Sequence, residues 1–244
     1  MHEFQTFVYL GMQKTGTTFV SDFLNRFSTE KSIVHEPHRP VGLETDLKKF
    51  FFISVRDPLD AYLSLYSYGS EAKGRMRNNF VRDGIEKNFY DGTMDGFREW
   101  LNYVLRPKNA AQLDKPYAHM GGGHTCEMIG FQSWRYLRLA LATPSASLAK
   151  CRTEDDVRAL YKSDKLPRAI IRYENFIPDL VALVRGPLAY AISDVDAAVK
   201  FLETAPPMNA SDRIDRYATE IFLEKRLARR LLEREWFLHE EFGY

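Results

Sequence analysis

The chain has 244 residues, of which 34 are basic and 33 acidic, so its formal charge is only +1. This balance gives no general attraction to nucleic acid or anionic membranes, and any anion site must therefore be local. Hydrophobic residues make up 45% and charged residues 27%, as in globular proteins. No segment reaches the roughly 20 apolar residues of a membrane span, and the first residues lack signal-peptide character. We therefore expect a cytoplasmic protein with no membrane span and no nucleic-acid partner.

The only cysteines are Cys126 and Cys151, and they form no CxxC motif or His/Cys cluster with metal-ligand spacing. In a reducing compartment we expect two free thiols. The sequence therefore predicts neither a structural metal nor a disulfide framework.

Short apolar or β-branched segments bounded by polar or proline-containing turns predict four strands, at 5–11, 31–35, 50–55 and 168–173. Their nearly continuous apolar character favours a parallel sheet that is covered on both faces. Helical periodicity occurs at 17–27, from Pro58 to Tyr66, and at 94–105, 126–141, 175–185, 194–203 and 214–239. Alternating strands and helices predict an α/β fold, a parallel β-sheet flanked by helices, with its ligand site at the C-terminal strand ends.

Residues 69–125 interrupt this alternation with a stretch rich in Gly, Asn, Asp, Tyr and Phe. The chain shows no internal repeat and no low-complexity tail. We expect one domain, 1–244, in which 69–165 is a largely helical insertion, and we expect the glycines at 121–123 to form a mobile loop.

An apolar strand, a glycine-containing turn and a helix start follow one another at 7–18, FVYLGMQKTGTT. In this context backbone N–H groups can wrap an anion at a helix N-terminus. The loop of kinases and NTPases reads G-x-x-x-x-G-K-[ST], with the lysine directly after the second glycine. Here Thr17 occupies that position and Lys14 lies in the middle of the loop. The pattern predicts a P-loop-like phosphate cradle and argues against an ordinary ATPase.

Three further motifs accompany this loop. The string RDPLDAYLSLY at 56–66 places Arg56 at a strand end and Ser64 two helical turns later, so that both can face one anion. VHEPHRP at 34–40 places two histidines and a glutamate after the second strand. IIRYENF at 170–176 ends a strand with an aromatic–acidic pair.

Together, and in this order, the four motifs resemble the sulfotransferases that use 3′-phosphoadenosine 5′-phosphosulfate (PAPS). The 5′-phosphosulfate loop of that family reads K-x-G-T-T, and its 3′-phosphate element, R-[DN]-P-x-D-x-x-x-S-x-Y, matches 56–66 throughout. The resemblance is strong over about 5–68, weaker at 168–178, and includes the chain end FLHEEFGY. It implies a P-loop NTPase-like core and transfer of a sulfuryl group from PAPS to a hydroxyl or amine. The acceptor would be a small molecule, lipid or carbohydrate, the product adenosine 3′,5′-bisphosphate (PAP), and no metal would be required.

The resemblance also implies a role for each matching residue. Lys14 would stabilise charge on the oxygen between sulfur and phosphorus, because sulfuryl transfer, like phosphoryl transfer, depends on positioning and charge stabilisation. Arg56 would bind the 3′-phosphate, with Ser64 as a second donor that restrains Lys14 until an acceptor binds. Tyr173 would pack near the adenine. The 5′-phosphate would be held by the hydroxyls of Thr17 and Thr18 and by the N–H groups of Thr15, Gly16, Thr17 and Thr18.

The acceptor needs a general base, and two branches of the family place it differently. Enzymes for small phenols and steroids use the histidine of T-H-x-P, which corresponds to His38. Enzymes for glycans use the glutamate of K-E-x-H, which corresponds to Glu36. The base is therefore Glu36 or His38, and the string H-E-P-H favours Glu36.

One element of the family is missing, because no R-K-G segment occurs near the C-terminus. The string PPMNASDR at 206–213 offers Asn209, Ser211 or Arg213 as replacements. Two rival functions stay open. A small-molecule or nucleotide kinase would need a lysine at position 17 and an aspartate for Mg²⁺, which Asp57 nearly provides. A non-catalytic nucleotide-binding module would use the helix at 214–239 for interaction.

Overall fold

The structure is a computed structural model that describes residues 1–206 and 224–244. The chain divides into two compact units. The first comprises 1–56, 136–144 and the described residues from 161 onwards to 206; the second comprises 57–135, 145–160 and 224–244. The single domain expected from the sequence stays a prediction. Asn209, Ser211, Arg213 and the first part of the helix predicted at 214–239 lie outside the described residues.

The described residues form five strands, β1 His2–Glu3, β2 Phe7–Gly11, β3 Val34–His35, β4 Phe50–Val55 and β5 Ala169–Arg172. They make one sheet in the order β3-β1-β2-β4-β5. The pairs β2–β4 and β4–β5 are parallel, whereas β1 is antiparallel to both β2 and β3. The α/β class is confirmed, but the sheet is mixed rather than purely parallel. Its antiparallel edge starts with a strand of two residues, too short to produce a periodic signal.

Fourteen α-helices are present in the described ranges. They are α1 Thr17–Phe27, α2 Pro58–Ser70, α3 Arg75–Arg82, α4 Met94–Val104, α5 Ala110–Leu113, α6 Lys115–His119, α7 His124–Met128, α8 Phe131–Ala140, α9 Pro144–Leu148, α10 Glu154–Asp164, α11 Phe176–Arg185, α12 Val195–Thr204, α13 Lys225–Arg234 and α14 Trp236–Phe242. Within 1–206 and 224–244, no helix has both the length and the apolar character of a membrane span. Residues 69–165 contain helices and turns and contribute no strand to the sheet.

Several predicted boundaries differ from those in the structure. β4 and α1 begin and end where the sequence predicts, but only Val34–His35 of the strand expected at 31–35 pairs with a neighbour. The helix predicted at 126–141 is split into α7 and α8, because the Gly130 amide donates to the Arg234 carbonyl at 2.5 Å instead of continuing a helix. Residues 121–123, expected as a loop, all have left-handed backbone, with φ from 60° to 96°, and so form a non-helical connection between α6 and α7. Cys126 and Cys151 are free, as expected.

The core of the first unit holds the parallel strands β2 and β4 in place. Phe7 and Tyr9 of β2 and Phe52 of β4 pack in one cluster with apolar side chains of α1, α11 and α12. The alternate residues Val8 and Leu10 are also fully buried. Because successive side chains of a strand point to opposite faces, both faces of β2 are buried. The loop that follows β2 therefore starts from a rigid strand end.

Candidate functional site

The loop at 12–16 connects β2 to α1 and contains two residues in the left-handed backbone region. Lys14 has φ 67° and Gly16 has φ 78°, whereas Thr15 between them has no positive φ. Alternation of this kind turns successive backbone N–H groups toward one side and makes a concavity for an anion. A lysine rarely adopts this conformation, so its presence here marks a strained, functionally suggestive turn.

The first turn of α1 lacks a cap from the protein itself. Its N-cap residue is Gly16, and no side chain hydrogen-bonds the helix N-terminus. The first N–H groups of a helix have no partner within the helix and carry partial positive charge. Glycine is required here, because a Cβ on Gly16 would lie 2.6 Å from Cζ of Phe176. The chain therefore presents an open helix N-terminus beside Lys14.

The hydroxyl groups of the three threonines at 15–18 differ in their surroundings. The Thr17 hydroxyl donates to the Met12 carbonyl at 2.7 Å, so its proton is used within the loop. Thr15 is fully buried and donates to the same carbonyl at 2.7 Å. Thr18 is exposed at the start of α1. Of the two predicted hydroxyl donors, Thr17 donates within the loop and Thr18 is exposed, and the Thr15 hydroxyl also donates within the loop.

A buried chain of hydroxyls supports the loop, and the sequence reasoning missed it. Tyr9 Oη lies 2.7 Å from Ser54 Oγ, which lies 2.5 Å from Thr15 Oγ1. Because Thr15 donates to Met12, Ser54 must donate to Thr15, and Tyr9 must then donate to Ser54. Burial raises the pKa of Tyr9 to about 12, although the hydrogen bonds from its neighbours act in the opposite direction. The signal was a pair of hydroxyl residues inside two otherwise apolar strands.

Arg56 and Tyr173 lie together against the loop. Arg56 follows β4, is only 2% exposed, and donates from Nη1 to the Lys14 carbonyl at 3.0 Å. Its Cζ lies 4.0 Å from the centre of the Tyr173 ring, a cation–π contact. The structure thus brings Lys14, Arg56 and Tyr173 together and places a buried guanidinium directly behind the loop. The phosphate contact of Arg56 stays a prediction. Its hydrogen bond to the Lys14 carbonyl, which supports the loop, was not indicated by the sequence.

The two candidate bases have different surroundings. Nδ1 of His38 lies 2.8 Å from the Gly11 carbonyl, and His38 itself has φ 64°. A carbonyl only accepts, so Nδ1 carries the proton and Nε2 is the basic nitrogen of the neutral ring. Glu36 instead forms an ion pair with Arg39 at 2.5 Å, and its side chain is 56% exposed. His38 is therefore held on the last residue of β2, directly before the loop, whereas Glu36 faces solvent.

Ser64, the remaining candidate, belongs to the second unit. It lies on α2 and is 4% exposed. α2 begins with Pro58 in its first turn, as predicted, and the Asp57 carboxylate accepts from the Asp60 amide at 3.0 Å. Asp57 is thus the capping residue of α2.

No protein-family model, curated protein or solved structure matches this chain. Its function must therefore be argued from the residues of the site.

Proposed function

We propose that this protein is a sulfotransferase that moves a sulfuryl group from PAPS to a hydroxyl or amine of a small-molecule, lipid or carbohydrate acceptor. In this proposal the sheet and α1 form a P-loop NTPase-like core with a displaced lysine. One observation carries the proposal: the uncapped N-terminus of α1, the left-handed Lys14 and the anchored His38 all meet at the loop that follows β2. PAPS is inferred as the donor because the four sequence motifs occur in the order that resembles the PAPS-dependent sulfotransferases.

The chemistry requires an anion cradle, a cation and a base. The acceptor oxygen attacks sulfur in line, the bond from sulfur to the bridging oxygen breaks, and its electron pair stays on PAP. The N–H groups at the start of α1 would hold the 5′-phosphate, and Lys14 would stabilise the charge that develops on the bridging oxygen. Arg56, stacked on Tyr173, would contribute positive charge for the 3′-phosphate. The roles expected of Ser64 stay predictions.

We assign the general base to His38. Its Nδ1–H is fixed by Gly11, which leaves Nε2 as the atom that takes the acceptor proton. Glu36 already neutralises Arg39, and its exposure to water makes it a poor partner for a desolvated acceptor. The sequence string favoured Glu36, whereas the contact of His38 with Gly11 supports His38 in this proposal.

The test combines donor binding with transfer. Calorimetric titration with PAP should give binding to the wild-type protein, and radiolabelled PAPS should label at least one member of a panel of phenols, steroids, amines, lipids and oligosaccharides. We expect His38→Asn to lower kcat by about 10²- to 10⁴-fold with little change in PAP affinity. Glu36→Gln should stay within a few-fold of wild type.

Two results would replace this proposal with its rivals. Binding of ATP with transfer of its γ-phosphate would identify a kinase. Binding of PAP without turnover on any acceptor would identify a nucleotide-binding module. Equal losses in His38→Asn and Glu36→Gln would overturn the base assignment alone.

A further inference from the structure

The second unit contains a cavity of about 250 Å³ between α4 and α13. We call it the arginine groove, because four guanidinium groups contribute to its lining. They belong to Arg98, Arg106, Arg226 and Arg230. No sequence pattern predicts this groove, because its two helices are more than a hundred residues apart in the chain.

Helical spacing places these side chains on facing surfaces. Arg98 and Asn102 are four residues apart on α4, and Arg226 and Arg230 are four residues apart on α13, so each pair shares one helix face. Asn102 Oδ1 accepts a hydrogen bond from Arg230 Nη1, which joins the two helices across the groove. Leu227, 8% exposed, lies between the two arginines of α13 in the sequence. The groove is therefore held by direct contacts between its own walls.

The charges of the groove are incompletely balanced. Arg98 pairs with Asp95 at 2.7 Å. Within the described parts of the chain, Arg106, Arg226 and Arg230 have no ion pair, and the partner of Arg230 is a neutral amide. Two carboxylates, Glu99 and Glu224, also contribute to the lining but pair with none of the four arginines there. The lining thus keeps a net charge of +2, in a protein whose overall charge is only +1.

We propose that the arginine groove binds a small oligoanion, a ligand with two or more phosphate, sulfate or carboxylate groups. Guanidinium groups recognise such oxyanions through paired, charge-assisted hydrogen bonds. Arg98 lies on α4, Arg106 lies beyond the end of that helix, and Arg226 and Arg230 lie on α13. An anion with several charged groups can engage more of these guanidinium groups than a single phosphate can, so the groove favours an oligoanion. The proposal is independent of the sulfotransferase proposal.

The experiment is calorimetric titration of the full chain with tripolyphosphate in low salt, with citrate and orthophosphate as parallel probes. We expect tripolyphosphate to bind more tightly than orthophosphate, and added salt to weaken it. Citrate separates recognition of carboxylates from recognition of phosphates. Arg226→Ala and Arg106→Ala should each weaken tripolyphosphate binding about tenfold or more, as for a lost charged hydrogen bond. Both side chains are exposed, so the folded state should persist, as circular dichroism can verify.

The matched control is Arg229→Ala. Arg229 lies on the same helix but outside the groove lining, and it pairs with Glu233 at 2.8 Å. It should leave tripolyphosphate binding within about twofold of wild type, and so should Lys14→Ala in the loop of the first unit. Absence of binding, equal affinity for orthophosphate, or an equal loss in Arg229→Ala would overturn the proposal. Loss of all binding in Lys14→Ala would place the anion at the loop instead.

Discussion

α1 lies in the first unit and the first turn of α8 lies in the second, and the groups that meet the first N–H groups of the two helices differ. At α8 the Glu235 carboxylate accepts from Gln132 N at 3.1 Å, Ser133 N at 2.8 Å and Ser133 Oγ at 2.7 Å. The Tyr62 hydroxyl donates to the same carboxylate at 2.6 Å. At α1 the N-cap is Gly16, and no side chain fills the corresponding position.

The surroundings of Glu235 show how an anion is stabilised at a helix N-terminus in this protein. Glu235 is completely buried, and four hydrogen bonds compensate for the removal of its charge from water. α1 has backbone donors of the same kind beside Lys14, but its N-cap residue, Gly16, has no side chain with which to cap them. We interpret α8 as a helix start completed by an internal anion for stability. α1 is then a helix start kept open for an anionic ligand.

Removal of the internal anion should produce the largest effect on stability. Glu235→Ala leaves the amides of Gln132 and Ser133 and the hydroxyl of Tyr62 buried without their acceptor. We expect the free energy of unfolding to fall by about 3–5 kcal/mol, since each buried unsatisfied donor costs about 1–3 kcal/mol and partial relaxation reduces the sum. Urea unfolding followed by circular dichroism measures this loss.

The control for this prediction is Glu233→Ala. Glu233 is exposed and pairs only with Arg229 on the surface of α13. Its removal should change stability by less than about 1 kcal/mol. If both variants lose the same stability, the carboxylate at α8 is not the stabilising anion that the comparison requires.

The open helix start can be damaged without changing a charged residue. Gly16→Ala forces alanine to φ 78° and brings its Cβ against the Phe176 ring. We expect a loss of about 2–3 kcal/mol, from left-handed strain of about 1–2 kcal/mol and an overpacking contribution of at least about 1 kcal/mol. PAP binding should fall at least tenfold, since the N–H groups of the loop would move. Urea unfolding and calorimetry measure the two effects separately.

Gly84→Ala separates strain from overpacking. Gly84 has a similar φ of 69°, but a Cβ there would meet nothing within 4 Å. It should show the strain contribution alone and leave PAP binding unchanged. Equal destabilisation in the two variants would mean that the contact with Phe176 does not constrain the loop.

The two helix starts also differ in how much of them the sequence reveals. The loop of α1 was predictable because strand end, turn, Lys14 and helix start are consecutive, so local chemistry encodes them. The Glu235 contact was not, because it joins residues 103 positions apart and no periodic pattern marks it. The contact of His38 with Gly11, on which the proposed base assignment rests, was unpredictable for a related reason: His38 has left-handed backbone, which its residue type does not predict.

The hydroxyl chain beneath α1 should contribute a smaller amount. Ser54→Ala leaves the buried Tyr9 hydroxyl without its acceptor and Thr15 without a donor. We expect a loss of about 1–3 kcal/mol in the free energy of unfolding and a few-fold weaker PAP binding. A double-mutant cycle with Tyr9→Phe measures the coupling, which should be about 0.5–1.5 kcal/mol. Strict additivity of the two substitutions would show that the hydroxyls act separately.

The same hydroxyl chain should make the first unit sensitive to alkali. The folded pKa of Tyr9, about 12, exceeds the ordinary value of 10, so its stabilising contribution is complete below pH 10 and is lost as pH rises toward 12. Between pH 9 and 11 the wild type should therefore lose about 1 kcal/mol more stability than Tyr9→Phe, at 1.36 kcal/mol per pKa unit. Burial and the Glu235 charge also raise the pKa of Tyr62 well above its ordinary value. Equal losses in wild type and Tyr9→Phe would mean that the stability of the first unit does not depend on a neutral Tyr9. The contrast between the neutral hydroxyl chain that supports α1 and the carboxylate that caps α8 would then be contradicted.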